Sequence, residues 1–325
     1  MVVRLTDAWQ EILQRRAGPT GAGAHPQPVR ELLGEMAAAG VLMQGNIKFN
    51  GALVLQIFGD GPVKVAVAEV QSDLSLRATA TVVGSVPAGA SLSQLVNPGN
   101  QGRCAITLDP KDRLPGQQAY QGVVPLFGDR QEPLERLSEV LEHYMLQSEQ
   151  LDTTLVLAAD DRVAAGLLIQ RLPVQGQNNL AGTGPEGSNP PGTVASGGVS
   201  REHGIGLDEH YNRVSVLARS LKREELLTLD VDTILRRLFW EESVLRFEPQ
   251  MGEHGPRFVC SCSRERVARM IHSLGQADAD GILAERGRIE VGCDFCGQQY
   301  HFDPVDVAQV FATPGGPPPV NPQVH

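Results

Sequence analysis

The chain has 325 residues, 41% of them hydrophobic and 20% charged, which is enough for a sizeable core, while Gly 35 and Pro 22 imply stretches of unpacked loop. Lys and Arg number 28 against 38 Asp and Glu, and the formal net charge of −10 repels a polyanion, so nucleic acid is not an expected partner. No apolar run approaches the about 18 residues of a membrane span, and Asp7 interrupts the start where a signal peptide needs apolar residues, so the expected compartment is the cytoplasm.

Residues 1–173 read as one mixed unit. The pattern predicts helices over Leu5–Arg16 and Pro28–Gln44, the second with a proline suited to a first turn. Asn50 and Gly51 predict a hairpin between Ile47–Phe49 and Ala52–Phe58. The run Gly59 to Pro62 turns into Val63–Glu69, and further strands are expected over Arg77–Val83, Cys104–Leu108 and Tyr120–Leu126. Leu134, Leu137, Val140, Leu141, Tyr144 and Met145 fall at helical spacing within Glu132–Gln147. Leu155–Ala159 and Val163–Ile169 flank Asp160 and Asp161 as another hairpin. Antiparallel hairpins among scattered helices form an α+β pattern rather than a repeating βαβ one.

Residues 174–206 differ. Ten of the 26 residues from Gln175 to Ser200 are Gly or Pro, and the only charge is Glu186. Such a composition cannot offset its ordering entropy, so a flexible insert is expected. Gly182 to Gly187 spells GxGxxG, but without a strand before it or a helix after it the motif is not a dinucleotide site. The tail 313–325, with five prolines, is expected to be disordered as well.

Residues 207–255 return to helical spacing. Tyr211, Val214, Leu217 and Leu221 share one face. After Asp230, a suitable N-cap, come Val231, Ile234, Leu235, Leu238, Phe239 and Trp240, an apolar face wider than a stripe. Such a face either packs on the first unit or binds something apolar once uncovered.

In 256–312 the sequence places Cys260 and Cys262, then Cys293 and Cys296, so that four of the five cysteines fall within 37 residues. Two cysteine pairs around a helical span predict a closed tetrahedral zinc site, one Zn2+ per chain, with every position filled by thiolate. Val267, Met270, Ile271 and Leu274 make one helical face, with Ser263 as the expected N-cap directly after Cys262. With the shell complete, His254, His272 and His301 are not needed as ligands, and Cys104, in an apolar strand, is expected to be buried and inert. The module has six Lys and Arg against eight Asp and Glu, which disfavours a nucleic-acid ribbon. The one-residue gap between Cys260 and Cys262 is shorter than a usual zinc knuckle, and short-loop disulfides of this kind are labile. The site therefore reads as a switch, either reduced and metal-bound or oxidised and metal-free. A module of this length has a small core, so losing a metal term on the order of 10–16 kcal/mol would unfold it.

The pattern of CxC, about thirty residues, then CxxC resembles the 33-kDa heat-shock protein family of redox-regulated holdase chaperones. Ser261–Arg266, Cys293–Gly297, Lys222–Leu227, Gly59–Lys64, Ala105–Pro110, Tyr120–Pro125 and Ser148–Gln150 are similar to the family too, so the resemblance spans most of the chain. It implies an ATP-independent chaperone, inactive when reduced and zinc-bound. Oxidation would pair Cys260 with Cys262 and Cys293 with Cys296, release zinc and unfold the linker 207–255. The protein would then dimerise and hold unfolding client proteins. The departures are Cys104 in place of an aliphatic residue, Leu151 and Asp152 in place of Ile-Pro, and a longer insert.

Two other classes stand against this reading. One is a zinc-ribbon nucleic-acid-binding regulator, opposed by the acidic module. The other is a thiol–disulfide oxidoreductase using Cys293 and Cys296, a motif that belongs beside a βαβ unit. The chain carries no Gly-x-Ser-x-Gly elbow, no His-Glu-x-x-His and no phosphate-binding loop, so no enzyme activity is expected.

Overall fold

The computed structural model describes residues 1–18, 23–113, 116–171, 201–245 and 247–312, without side chains over 201–208. Residues 174–200 of the insert, with the GxGxxG run, and the tail 313–325 lie outside the described residues, whereas 201–206, expected to belong to the insert, are helical.

Helix α2 (Gln27–Asn46) is the centre of the molecule. Most of its residues from Val29 to Gln44 are buried, and such an all-round apolar helix needs cover on every side. Two sheets supply it. One is three-stranded and antiparallel, in the order β1 (Val2–Leu5), β8 (Ala164–Gln170), β7 (Thr153–Ala159). The other is six-stranded, in the order β6 (Tyr120–Pro125), β5 (Arg103–Pro110), β2 (Gly51–Phe58), β3 (Val63–Gln71), β4 (Ser75–Val82), β9 (Arg257–Phe258). Small residues let α2 approach both. A Cβ on Gly34 would lie 2.4 Å from the Ala159 side chain, and one on Gly40 would lie 2.9 Å from Val70. Helices α1 (Asp7–Ala17), α3 (Leu92–Val96) and α4 (Leu137–Glu149) complete this α+β core.

Three local expectations are corrected. Leu5 belongs to β1, not to the first helix, because Val2–Leu5 pairs with β8 from Leu167 to Ala164. Asn50 and Gly51 do not turn a hairpin: α2 runs to Asn46, and Gly51 opens β2 so close to β5 that a Cβ would sit 2.2 Å from the Asp109 carbonyl. Helix α4 begins at Leu137 rather than Glu132. The hairpin around Asp160 and Asp161 forms as expected.

The three-stranded sheet is buried on both faces. Its far face carries Ala158, Ala165 and Leu167, and α5 (Arg201–Arg219), α6 (Arg223–Thr228) and α7 (Val231–Phe239) pack there. Helix α5 starts ahead of the expected Leu207. The Arg4 guanidinium donates to the carbonyls of Leu226 (3.1 Å), Leu227 (2.5 Å) and Leu229 (3.2 Å), satisfying groups that the end of α6 leaves open.

The C-terminal module contains α8 (Arg264–Leu274), α9 (Gln276–Arg286), the hairpin β10 (Ile289–Gly292) and β11 (Gln299–Phe302), and α10 (Pro304–Ala312). It joins the core through β9, which runs parallel to β4. Among the described residues, no helix is long and apolar enough to cross a membrane.

Candidate metal centre

Cys260 and Cys262 lie between β9 and α8. Ser263 caps α8 by accepting from the Arg266 amide at 3.2 Å, so the helix opens directly after Cys262. Cys293 and Cys296 lie in the turn between β10 and β11. That turn closes with the Cys293 amide donating to Gln298 O (2.9 Å) and the Gly297 amide to Cys293 O (2.8 Å). Gly297 has φ 72°, a left-handed conformation that favours glycine.

The two segments meet through their sulfurs. The four Sγ atoms lie within 4.8 Å of one another, and this is the only such cluster of possible ligands among the described residues. Two sulfur contacts cross between segments, 3.6 Å for Cys260 to Cys293 and 3.3 Å for Cys262 to Cys296. The Tyr300 hydroxyl donates to Cys262 Sγ at 3.1 Å. Cys296 is buried and the other three are half-buried. Four convergent sulfurs form a soft, closed donor set that can hold a metal ion without an open coordination position.

Without an ion, the thiols compete for protons. The hydrogen bond with Cys293 holds the Cys260 thiol well below its ordinary range, against the effect of burial. Cys293 is raised by that same hydrogen bond and by burial. Burial, more than its hydrogen bonds to neighbouring thiols, pushes Cys296 up to about 11. A cation at the centre favours all four thiolates together.

The centre also touches the core, through residues the sequence did not single out. Arg77 on β4 lies over the Phe295 ring, 4.2 Å from its centroid, while donating to Glu69 at 2.6 Å and interacting with Cys260. Thr79 donates to the Asp294 carbonyl at 2.9 Å. Nothing in the sequence marks these partners, because roughly two hundred residues separate them from the turn they hold.

The remaining candidates fall elsewhere. His272 stacks on Phe311, His301 lies 3.6 Å from Glu290, and His254 lines a shallow cleft with Ser72 and Asp73. Cys104 is buried in β5, where burial pushes its thiol up to about 12. On α7, capped by Asp230 as expected, Ile234 and Phe239 are buried. Leu235 and Leu238 are partly buried in the same cluster, Val231 is half-buried, and Trp240 is 74% exposed.

The Hsp33 protein family model matches residues 1–303. A 33 kDa chaperonin of Chromobacterium violaceum is 42% identical over 310 residues, covering 95% of this chain and 88% of the relative. One of Neisseria meningitidis serogroup A is 39% identical, covering 95% and 86%. The crystal structure of the 33 kDa chaperonin of Thermotoga maritima matches with a TM-score of 0.68 at 18% identity, over 95% of this chain and 91% of that one.

Proposed function

The chain belongs to the Hsp33 protein family, and we propose that it is a redox-regulated holdase, a chaperone without ATP or catalysis that stays inactive while its four cysteines are reduced. The observation that carries this reading is the convergence of Cys260, Cys262, Cys293 and Cys296 within 4.8 Å. We assign zinc to these sulfurs, one ion per chain, because four thiolates suit it and leave no position for a substrate. When bound, zinc supplies folding free energy on the order of 10–16 kcal/mol, in a module that buries only a few apolar side chains.

Peroxide is the oxidant class we assign. Two thiolates and two protons react with one peroxide. One S–S bond forms, the O–O bond breaks and two waters leave. One such step joins Cys260 to Cys262 and a second joins Cys293 to Cys296. Both bonds lie within a segment, so neither replaces the ligation that ties one segment to the other. Short-loop disulfides also restrain the unfolded chain little. The module 256–312 then loses its fold.

The linker 207–255 follows. While the module is folded, helices α5 to α7 pack on the three-stranded sheet of the core 1–173, and release of the chain beyond them removes the support that keeps them there. Their melting frees Val231, Ile234, Leu235, Leu238, Phe239 and Trp240 to bind the apolar segments of unfolding clients, at about 25 cal/mol per Å² buried. The same surface supports a dimer of the oxidised form. The acidic charge keeps such complexes soluble and away from nucleic acid. A reduced resting state suits the cytoplasm.

The test is metal content and light-scattering suppression of an aggregating client, before and after peroxide. One zinc lost together with a gain of suppression is expected. Suppression that is equal in both forms, or a reduced protein without zinc, removes the reading.

A further inference from the structure

Strand β9 is two residues long, yet it closes the edge of the six-stranded sheet, pairing only with Ser75 and Leu76. Val259 N donates to Leu76 O at 3.1 Å and Arg257 N to Leu74 O at 3.4 Å. Arg257 also binds Asp73 and the Glu253 carbonyl. Phe258 packs against the main core, with the Arg15 guanidinium 5.5 Å from its ring centroid. Cys260 follows directly after Val259. The strand is therefore held at its end by the centre whose loss unfolds the module.

The rest of that edge is unpaired as a ladder. Leu74 and Leu76 face β9, so by strand alternation the backbone groups of Ala78 and Ala80 face the same way. Among the described residues no strand pairs with them there. The turn of the metal centre lies over this stretch, through Arg77 with Phe295 and Thr79 with Asp294.

We propose that β9 is a built-in pseudo-substrate: it occupies a strand-binding edge on β4 that, once the module is released, takes an extended segment of an unfolding polypeptide with a large apolar side chain where Phe258 sat. This rests on the redox-gated reading above. Main-chain pairing is independent of sequence, and one apolar anchor adds selectivity for unfolded chains. The occupant seen on the edge is itself an extended segment with an aromatic anchor. Two β4 edges pairing with each other would leave the Phe258 position unfilled, which favours a client segment over a second copy.

The probe is a labelled peptide of residues 255–261 carrying Cys260→Ser, followed by fluorescence anisotropy against the full chain. It is expected to bind the peroxide-treated protein and not the reduced, zinc-loaded one. Phe258→Ala in the peptide is expected to weaken binding about tenfold or more, as for a central anchor. The amides of Ala78 and Ala80 are expected to exchange more slowly when the peptide is bound. Ala78→Pro in the protein, which removes an outward N–H at an edge where proline is tolerated, is expected to abolish binding. Should that variant not fold, amide exchange of the unsubstituted protein decides.

Client suppression is measured in parallel. If the oxidised protein suppresses aggregation but neither binds the peptide nor protects Ala78 and Ala80, the pseudo-substrate proposal is overturned and the redox-gated reading stands. Protection of these amides that needs no peptide and rises with protein concentration assigns the edge to a second copy and also overturns it. If suppression never appears, the redox-gated reading fails and this proposal with it.

Discussion

Among the described residues, 42 apolar ones between Val3 and Leu168 are buried in one cluster around α2, whereas the cluster of the module after Arg257, around Ile271, buries six. The first cluster shares its load among two sheets and several helices, so no single contact decides whether it forms. In the second, with so few apolar contacts, the proposed ligation of four sulfurs would be the dominant contribution. On the proposed reading, oxidation removes the fold of one end while the other keeps its shape.

The largest expected effect separates the two regions outright. Hydrogen exchange with mass spectrometry on the oxidised, zinc-free protein should show collapse of protection over Cys260–Cys296 and over Tyr211–Leu245. The strands before Pro173 should stay protected, since the module loses on the order of 10–16 kcal/mol of ligation that the core never used. If the linker keeps its protection while client aggregation is suppressed, the coupling proposed above is wrong.

Matched core truncations sharpen the contrast. Ile271→Ala and Leu141→Ala both delete fully buried side chains, each at a cost of about 2–5 kcal/mol. In the module this should weaken zinc retention and give suppression without peroxide, read by chelator titration and light scattering. In the core it should only lower the melting temperature. Equal zinc retention in the two variants would argue that the module has stability of its own.

Cysteine substitutions give a smaller effect on one side of the comparison. Cys104→Ser buries a hydroxyl in β5, should cost about 1–3 kcal/mol, and should leave one zinc per chain by atomic absorption. Cys293→Ser should lose the metal. Zinc lost from the first variant, or kept in the second, breaks the assignment of the ligands.

The smallest effect is expected from the insert. Replacing Gln175–Ser200 with a short Gly-Ser link should shift stability by only about 1 kcal/mol, roughly two halvings of loop length, with zinc and the switch intact. A large fall in the melting temperature of the reduced form would show that these residues contribute to packing.

Much of the centre was legible because its signals are local. Two cysteine pairs and a serine cap after Cys262 lie within a few residues of the atoms they serve. The same holds for Asp230 at the start of α7 and for the hairpin at Asp160. Asn50 and Gly51 failed as a hairpin signal because α2 continues to Asn46 and β2 takes its partners from β3 and β5. Val2–Leu5 went unread as a strand because its partner, β8, begins at Ala164.

The sequence by itself determined which atoms can bind metal, since ligand type and spacing are covalent facts of the chain. It also determined how few apolar residues the module has for a core of its own. Only the tertiary structure decided what the module rests on. Arg77 and Thr79 reach its turn, and β9 closes the β4 edge, across separations of about two hundred residues. Contacts of that kind depend on where two folded surfaces meet, and no local pattern of side chains encodes them.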